Sequence, residues 1–428
     1  MLPLAITGLT LLLMMIGAPV AFALALAGTV GLYIIGGMTL LSGILTSTTV
    51  SATSSYELIT VPMFLLMAEL VVLSGVADQL FRTAAVWTGR LPGGLGVATA
   101  FAGAGFGAIC GSSTAAAATL SSTSFPAMIE HRYDPRMAAG VVAISGTLAM
   151  LIPPSVALIL YGFIADVSIG RLLIAGILPG LLIALTIAAT VVLLAVVNQK
   201  NAAPGRRYTL REKLESLKVA GPVLLLFALV TGIIYGGVAT PTEASGLGAF
   251  GALLLAAARG RLTWSGLRRV VLGATGSTCM IFLIIFGAKI FGYFFTLTQV
   301  TPTLVSLLAD SGLSTYLVLL LIIAGYIVLG CFLDQLAILI ITVPVVLPVI
   351  THLGFDPIWF GVLVVVVAEV GLLTPPLGIN SFVVAKYTGQ PLSVVFAGIL
   401  PHILAHMVAI ALLIAFPAIV LWLPSTMH

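Results

Sequence analysis

Charge is scarce in this chain. Asp, Glu, Lys and Arg make up 7% of its 428 residues, against about 25% in a soluble domain. With 61% hydrophobic residues and a mean hydropathy of +1.26, no soluble domain is expected. Cysteine is nearly absent. Cys110, Cys279 and Cys331 stand singly in apolar stretches, without the paired spacing of a disulfide framework or metal site, and are expected as small buried residues. Gly-x-x-x-x-Gly-Lys-Ser/Thr, the loop that cradles nucleotide phosphates, is also missing, so no ATP-driven step is expected. The formal charge of +4 says little about a partner, and no nucleic acid is expected. The first residues, MLPLAITGLTLLLMMIG, lack a basic region and a small-residue cleavage signal and read as a retained span.

Long apolar runs are what the chain has in plenty. Runs of about 20 residues, enough for a helix to cross a bilayer core, recur along its whole length. The reading is an all-α polytopic membrane protein in the lipid bilayer. One such run contains LLTPPLG at 372–378. Proline has no N–H and clashes with the carbonyl four residues back, so a helix breaks there. Broken backbone is tolerated at membrane depth only where it is buried in protein or lines a wet cavity.

The break has a twin, LIPPS at 151–155, and the two are related by a shift of 222 residues. That shift also superposes Pro19 on Pro241, Pro126 on Pro348, Asp134-Pro135 on Asp356-Pro357, and GILP at 176–179 on GILP at 398–401. The chain therefore divides into a first repeat, 1–197, a linker, 198–218, and a second repeat, 219–428. The linker carries six Lys/Arg and is expected on the cytoplasmic side. Equivalent bends carry opposed charge: 37–47 has no basic residue whereas 259–269 has Arg259, Arg261, Arg268 and Arg269, and EHRYDPR (130–136) faces HLGFDP (352–357). The repeats are expected to be inverted, with both termini periplasmic and only Arg171 and Lys289 among the Lys/Arg off the cytoplasmic side.

Spans are expected near 3–16, 20–36, 62–78, 137–165 and 172–197, with counterparts near 222–238, 241–258, 275–297, 358–386 and 391–421. The spans 137–165 and 358–386 are the broken helices. Re-entrant hairpins are expected at 92–131 and 314–352, with tips at ICGSST (109–114) and GCFLD (330–334). Interfacial arm helices are expected at 79–92 and 259–271.

Inverted repeats, each with a hairpin tip and a broken helix, are the pattern of a secondary transporter. Carbonyls freed at a half-helix end suit a small hard cation, and half-helix N-termini suit an anion. The first site joins Gly111, Ser112 and Ser113 to Thr147, Met150, Ile152 and Pro153, with hydroxyls and carbonyls but no formal charge. The second joins Asp334 to Glu369, Gly371, Thr374 and Pro375. An acid in an apolar hairpin is costly and points to function. Substrate is expected at Thr114, Ser155, Gly378 and Asn380. His402 and His406 are spaced like helical metal ligands, but no carboxylate accompanies them and packing is the better reading. Glu69 and Lys289 lie in the third span of each repeat, holding the scaffold together or meeting a partner subunit.

GSSTAAAATLSSTSFPAMIEHRYDPRMAAG, GTLAMLIPPSVALILYG, ATPTEASGLGAFGALL and VGLLTPPLGINSFV together closely resemble the large membrane subunit of tripartite ATP-independent periplasmic (TRAP) transporters. The resemblance runs nearly end to end. It implies sodium-coupled uptake of an organic acid (sialic acid, a C4-dicarboxylate or a keto acid) across the bacterial inner membrane by an elevator movement of a transport domain against a scaffold. It implies two partners, a small four-helix membrane subunit and a periplasmic substrate-binding protein. By motif, Ser112, Ser113 and the residues before Pro153 match one sodium site, and Asp334 and Thr374 the other. The nearest competing reading is a stand-alone sodium-coupled anion symporter. An intramembrane enzyme lacks a base near Ser112 and Ser113, and a channel does not need paired inverted hairpins.

Overall fold

A computed structural model describes residues 1–198, 208–300, 302, 303, 305, 306 and 312–427. Residues 199–207 of the linker lie outside the described residues. Helices make up nearly all of what is described, and seven are long and apolar enough to cross a membrane.

The first repeat runs α1 (Leu2–Met15), α2 (Val20–Thr53), a 3-10 turn, α3 (Thr60–Leu73), α4 (Ala77–Thr88), α5 (Gly94–Cys110), α6 (Ser113–Glu130), α7 (Pro135–Thr147), a second 3-10 turn, α8 (Val156–Ala165), α9 (Ile169–Ala175) and α10 (Ile177–Val197). The second runs α11 (Leu210–Tyr235), α12 (Pro241–Ala258), α13 (Trp264–Leu297), α14 (Thr315–Gly330), α15 (Gln335–His352), α16 (Pro357–Leu373), α17 (Ile379–Thr388), α18 (Leu392–Ala415) and α19 (Ala418–Ser425).

Local chemistry sets many boundaries. Asp134 and Asp356, equivalent under the shift, cap α7 and α16: Asp134 Oδ1 accepts the Arg136 N–H at 2.7 Å, and Asp356 Oδ1 those of Ile358 and Trp359 at 2.7 and 3.0 Å. Each is followed by proline at the first helical position, where a missing N–H costs nothing. Thr209 with Glu212 and Thr240 with Glu243 form capping boxes at the starts of α11 and α12.

Packing interlocks the repeats by exchange. The helix α2 lies along α13, and α12 along α3, so each contact is accompanied by its counterpart. Likewise α6 of the first hairpin packs on α17 of the second repeat, while α15 of the second hairpin packs on α8 of the first. Such reciprocity is what a two-fold relation between equivalent segments produces. α1, α11 and the α2–α3–α12–α13 set form one packed group, and the hairpins and broken helices form another. In the second group α16 is buried almost from end to end, from Trp359 to Leu373.

Several expectations are corrected. Residues 259–271 do not form a separate arm: α13 runs unbroken from Trp264 through the following span, packed along α2 and α3. In the first repeat the corresponding junction is cut at Ser54 and Ser55, after α2 turns at Gly37 with a φ of 64°, and the expected arm segment 79–92 is largely the separate helix α4. The expected span 391–421 is two helices parted by Pro417. Cys279 is exposed on α13 rather than buried, as an apolar side chain facing lipid can be, whereas Cys331 is buried.

Candidate functional site

At the first break, α7 tightens into the 3-10 turn Leu148–Met150 and stops. Pro153 and Pro154 supply no N–H, so the carbonyls of Ala149 and Met150 lose the donors a continuous helix would give them. The Ser155 hydroxyl donates to the Met150 carbonyl and accepts the Leu158 N–H, so both its bonding roles are taken by backbone. Thr147, buried, donates to the Ile144 carbonyl at 2.7 Å. Ile152 is half-buried, and its N–H bonds the Leu148 carbonyl at 3.1 Å.

The first tip sits against this break. Gly111 ends α5 at a φ of 58°, a conformation glycine adopts without a Cβ penalty. A Cβ there would lie 3.1 Å from Val156 Cγ2 and 3.4 Å from the Pro154 carbonyl oxygen. Ser112 caps α6 by accepting the Ala115 N–H at 3.4 Å, and its hydroxyl pairs with Thr114 at 3.2 Å. Ser113, the first residue of α6, is buried.

The second break repeats the proline pair with other side chains and other helix ends: α16 stays helical to Leu373, and α17 restarts one position later than α8 under the 222-residue shift. Pro375 and Pro376 follow Thr374, whose hydroxyl donates to the Val370 carbonyl at 2.7 Å and whose N–H bonds Gly371 O at 2.9 Å. Both proline pairs have cis peptides between their members. Gly378 starts α17 at a φ of 57°, and the Ser381 hydroxyl donates to the Leu373 carbonyl at 3.2 Å. The tip again meets the break: a Cβ on Gly371 would fall 2.5 Å from the Gly330 Cα. Asp334 stands where the first tip has Ser112 and caps α15, its Oδ1 accepting from Leu336 and Ala337 at 3.0 and 3.2 Å.

Three placements do not follow from pairing tip and break within a repeat. Glu369, 2% exposed, points its carboxylate at the Ser113 hydroxyl of the other repeat, outside the geometry of a well-formed hydrogen bond, and neither oxygen accepts one elsewhere. Gln335, which corresponds to Ser113, is buried and donates from Nε2 to the Val365 carbonyl at 3.1 Å, its Oε1 unpartnered. Sequence reasoning passed over it; the 222-residue shift from Ser113 was the available signal. Asn380 is fully buried with both amide atoms unpartnered.

Away from the breaks, His402 and His406 are buried on α18. Among the described residues no cluster of three His, Cys, Asp or Glu exists to hold a metal. Glu69 lies against α13, its Oε1 3.1 Å from where a Gly273 Cβ would be. The Lys289 ammonium stands 5.1 Å over the Phe163 ring, on a cavity of about 240 Å³ between α13, α8 and α15.

Residues 7–419 match the model of the family described as tripartite ATP-independent periplasmic transporter, DctM component. The chain belongs to this family. A C4-dicarboxylate TRAP large permease of Pseudomonas aeruginosa is 35% identical over 371 residues, covering 86% of each chain. A sialic acid TRAP large permease of Vibrio cholerae is 31% identical, covering 87% of each. An isethionate TRAP permease of Oleidesulfovibrio alaskensis, DctMQ, is 31% identical over 95% of this chain but 64% of its own. Among solved structures, the Alcanivorax borkumensis YdaH transporter superposes with a TM-score of 0.62 at 15% identity over 90% of both chains, a likeness of fold alone. As a DctM component, the chain is a multi-pass TRAP transporter permease, and the site is to be read as one for transport.

Proposed function

We propose that this DctM component is the large permease of a sodium-coupled TRAP transporter. It imports an organic acid anion delivered by a periplasmic binding protein and works with a small four-helix membrane subunit in the inner membrane. The observation that carries this is that in each repeat the hairpin tip packs on the helix break through glycine, Gly111 on Pro154 in the first and Gly330 on Gly371 in the second. Carbonyls without helical donors beside Ser112, Ser113, Asp334 and Thr374 are hard oxygen ligands of the kind an alkali cation takes. The donors fit, since hydroxyl, carbonyl and carboxylate oxygens need no thiolate or imidazole. The N-terminal ends of α6, α8 and α17 present backbone N–H groups and partial positive charge for substrate carboxylate, with the Asn380 amide as a polar anchor.

Movement follows from the packing. The hairpins and broken helices form the transport domain, and α1–α3 with α11–α13 form the scaffold against which it slides, elevator-fashion. Sidedness follows from charge, with the basic linker inside and both termini periplasmic.

The test is uptake into proteoliposomes holding this subunit and its small partner, with a panel of binding proteins and labelled organic acids. Uptake is expected with an inward sodium gradient and a binding protein. Uptake unchanged when potassium replaces sodium sinks the coupling. Full uptake without any binding protein makes the stand-alone symporter the right reading.

A further inference from the structure

Glu369 and Gly371 are two residues apart on α16. At about 100° per residue their side-chain directions differ by roughly 200°, so they face opposite ways. Gly371 faces the second hairpin, against Gly330 and the Ile327 carbonyl. Glu369 therefore turns its carboxylate from that contact, and on its own side it meets Ser113, the first residue of α6. Gln335 also reaches α16, one turn earlier at the Val365 carbonyl, but as a neutral amide. The Asp334 Oδ1 is engaged in capping α15.

We infer that Glu369 supplies the formal negative charge of the first cation site, beside Ser113, and does not join Asp334 in the second. The ligand class is a monovalent alkali cation, and the inference rests on the sodium-coupled reading above. A buried carboxylate whose oxygens accept no hydrogen bond is far costlier than a neutral group and calls for a counter-ion. With Glu369 in one site and Asp334 in the other, each carboxylate meets one monovalent charge. The two ion sites then cross the low-dielectric layer close to neutral, which an uncompensated ion could not do cheaply. Assignment across the repeats also couples them mechanically: the first site closes only when α6 and α16 are in place together.

The experiment is thermal unfolding of the purified full chain in sodium chloride and in choline chloride. The set is wild type, Glu369→Gln, Ser113→Ala, Asp334→Asn and the two double variants that contain Glu369→Gln. In choline, Glu369→Gln is expected to melt no lower than wild type, since the isosteric amide removes an unpaired buried charge. In sodium it should lose about half of the wild-type rise in melting temperature, the share of one of two sites. Adding Ser113→Ala should remove little more; adding Asp334→Asn should remove the rest. If Glu369→Gln instead adds nothing to Asp334→Asn while summing with Ser113→Ala, Glu369 belongs to the second site and the inference falls, with sodium coupling intact. A full sodium response in Glu369→Gln removes it from any cation site. No sodium response in wild type defeats the coupling itself, a different failure.

Discussion

The two halves share the position of their helix breaks and differ in charge. Residues 112 and 334 both cap the second arm of a hairpin, but one is serine and the other aspartate. Residues 147 and 369 both precede a proline break, but one is a threonine bonded to its own helix and the other a glutamate with no hydrogen bond. Ser155, which ties the first break to its own carbonyls, is replaced by Leu377, and Ser381, one turn further on, ties the second. Duplicated geometry with unequal side chains means that the helix breaks are the common device, and charge is what each half adjusts separately.

The largest test of that view removes the breaks. Pro→Ala in a helix interior favours helix by roughly 3 kcal/mol. Pro375→Ala/Pro376→Ala is expected to abolish uptake while leaving melting in choline unchanged or raised, and Pro153→Ala/Pro154→Ala to do the same through the other half. Equal falls in melting temperature with sodium stabilisation intact would show the prolines to be packing elements instead.

A smaller effect separates the tips. Gly371→Ala puts a Cβ 2.5 Å from the Gly330 Cα, backbone that cannot swing away. Overpacking of this kind costs about 1–3 kcal/mol, so chemical unfolding in detergent should show a loss in that range. Gly276→Ala, with nothing within 4 Å, is the control and should show none.

Smaller still is the contrast between the two caps. Ser112→Ala removes a capping oxygen and should cost about 1 kcal/mol, whereas Asp334→Asn keeps one and should cost a few tenths. Sodium affinity should move the other way, falling more for Asp334→Asn because a formal charge goes. If the two variants weaken sodium equally, charge does not distinguish the halves.

The last test changes no energy. Single cysteines at His131 and Gly354, in a cysteine-depleted chain, should react with an impermeant thiol reagent from opposite faces of the membrane. Labelling of both from one face would end the inverted reading.

By itself the sequence determined the membrane class, the duplication and the positions of both breaks. Each is a local property: apolar run length, a constant 222-residue register, and prolines that cannot continue a helix. The caps at Asp134 and Asp356, first seen in the structure, are local in the same way, since a cap acts within three residues. Only the tertiary structure decided that Glu369 faces Ser113, that Gly330 meets Gly371, and that the Ser155 hydroxyl turns inward to backbone. The continuity of α13, against the interruption at Ser54 and Ser55, was likewise settled by packing along α2 and α3. The physical reason is range. Rules read along a chain reach about one helical turn, while a contact between residues 113 and 369 depends on how whole helices cross, which is set by side chains scattered over both repeats.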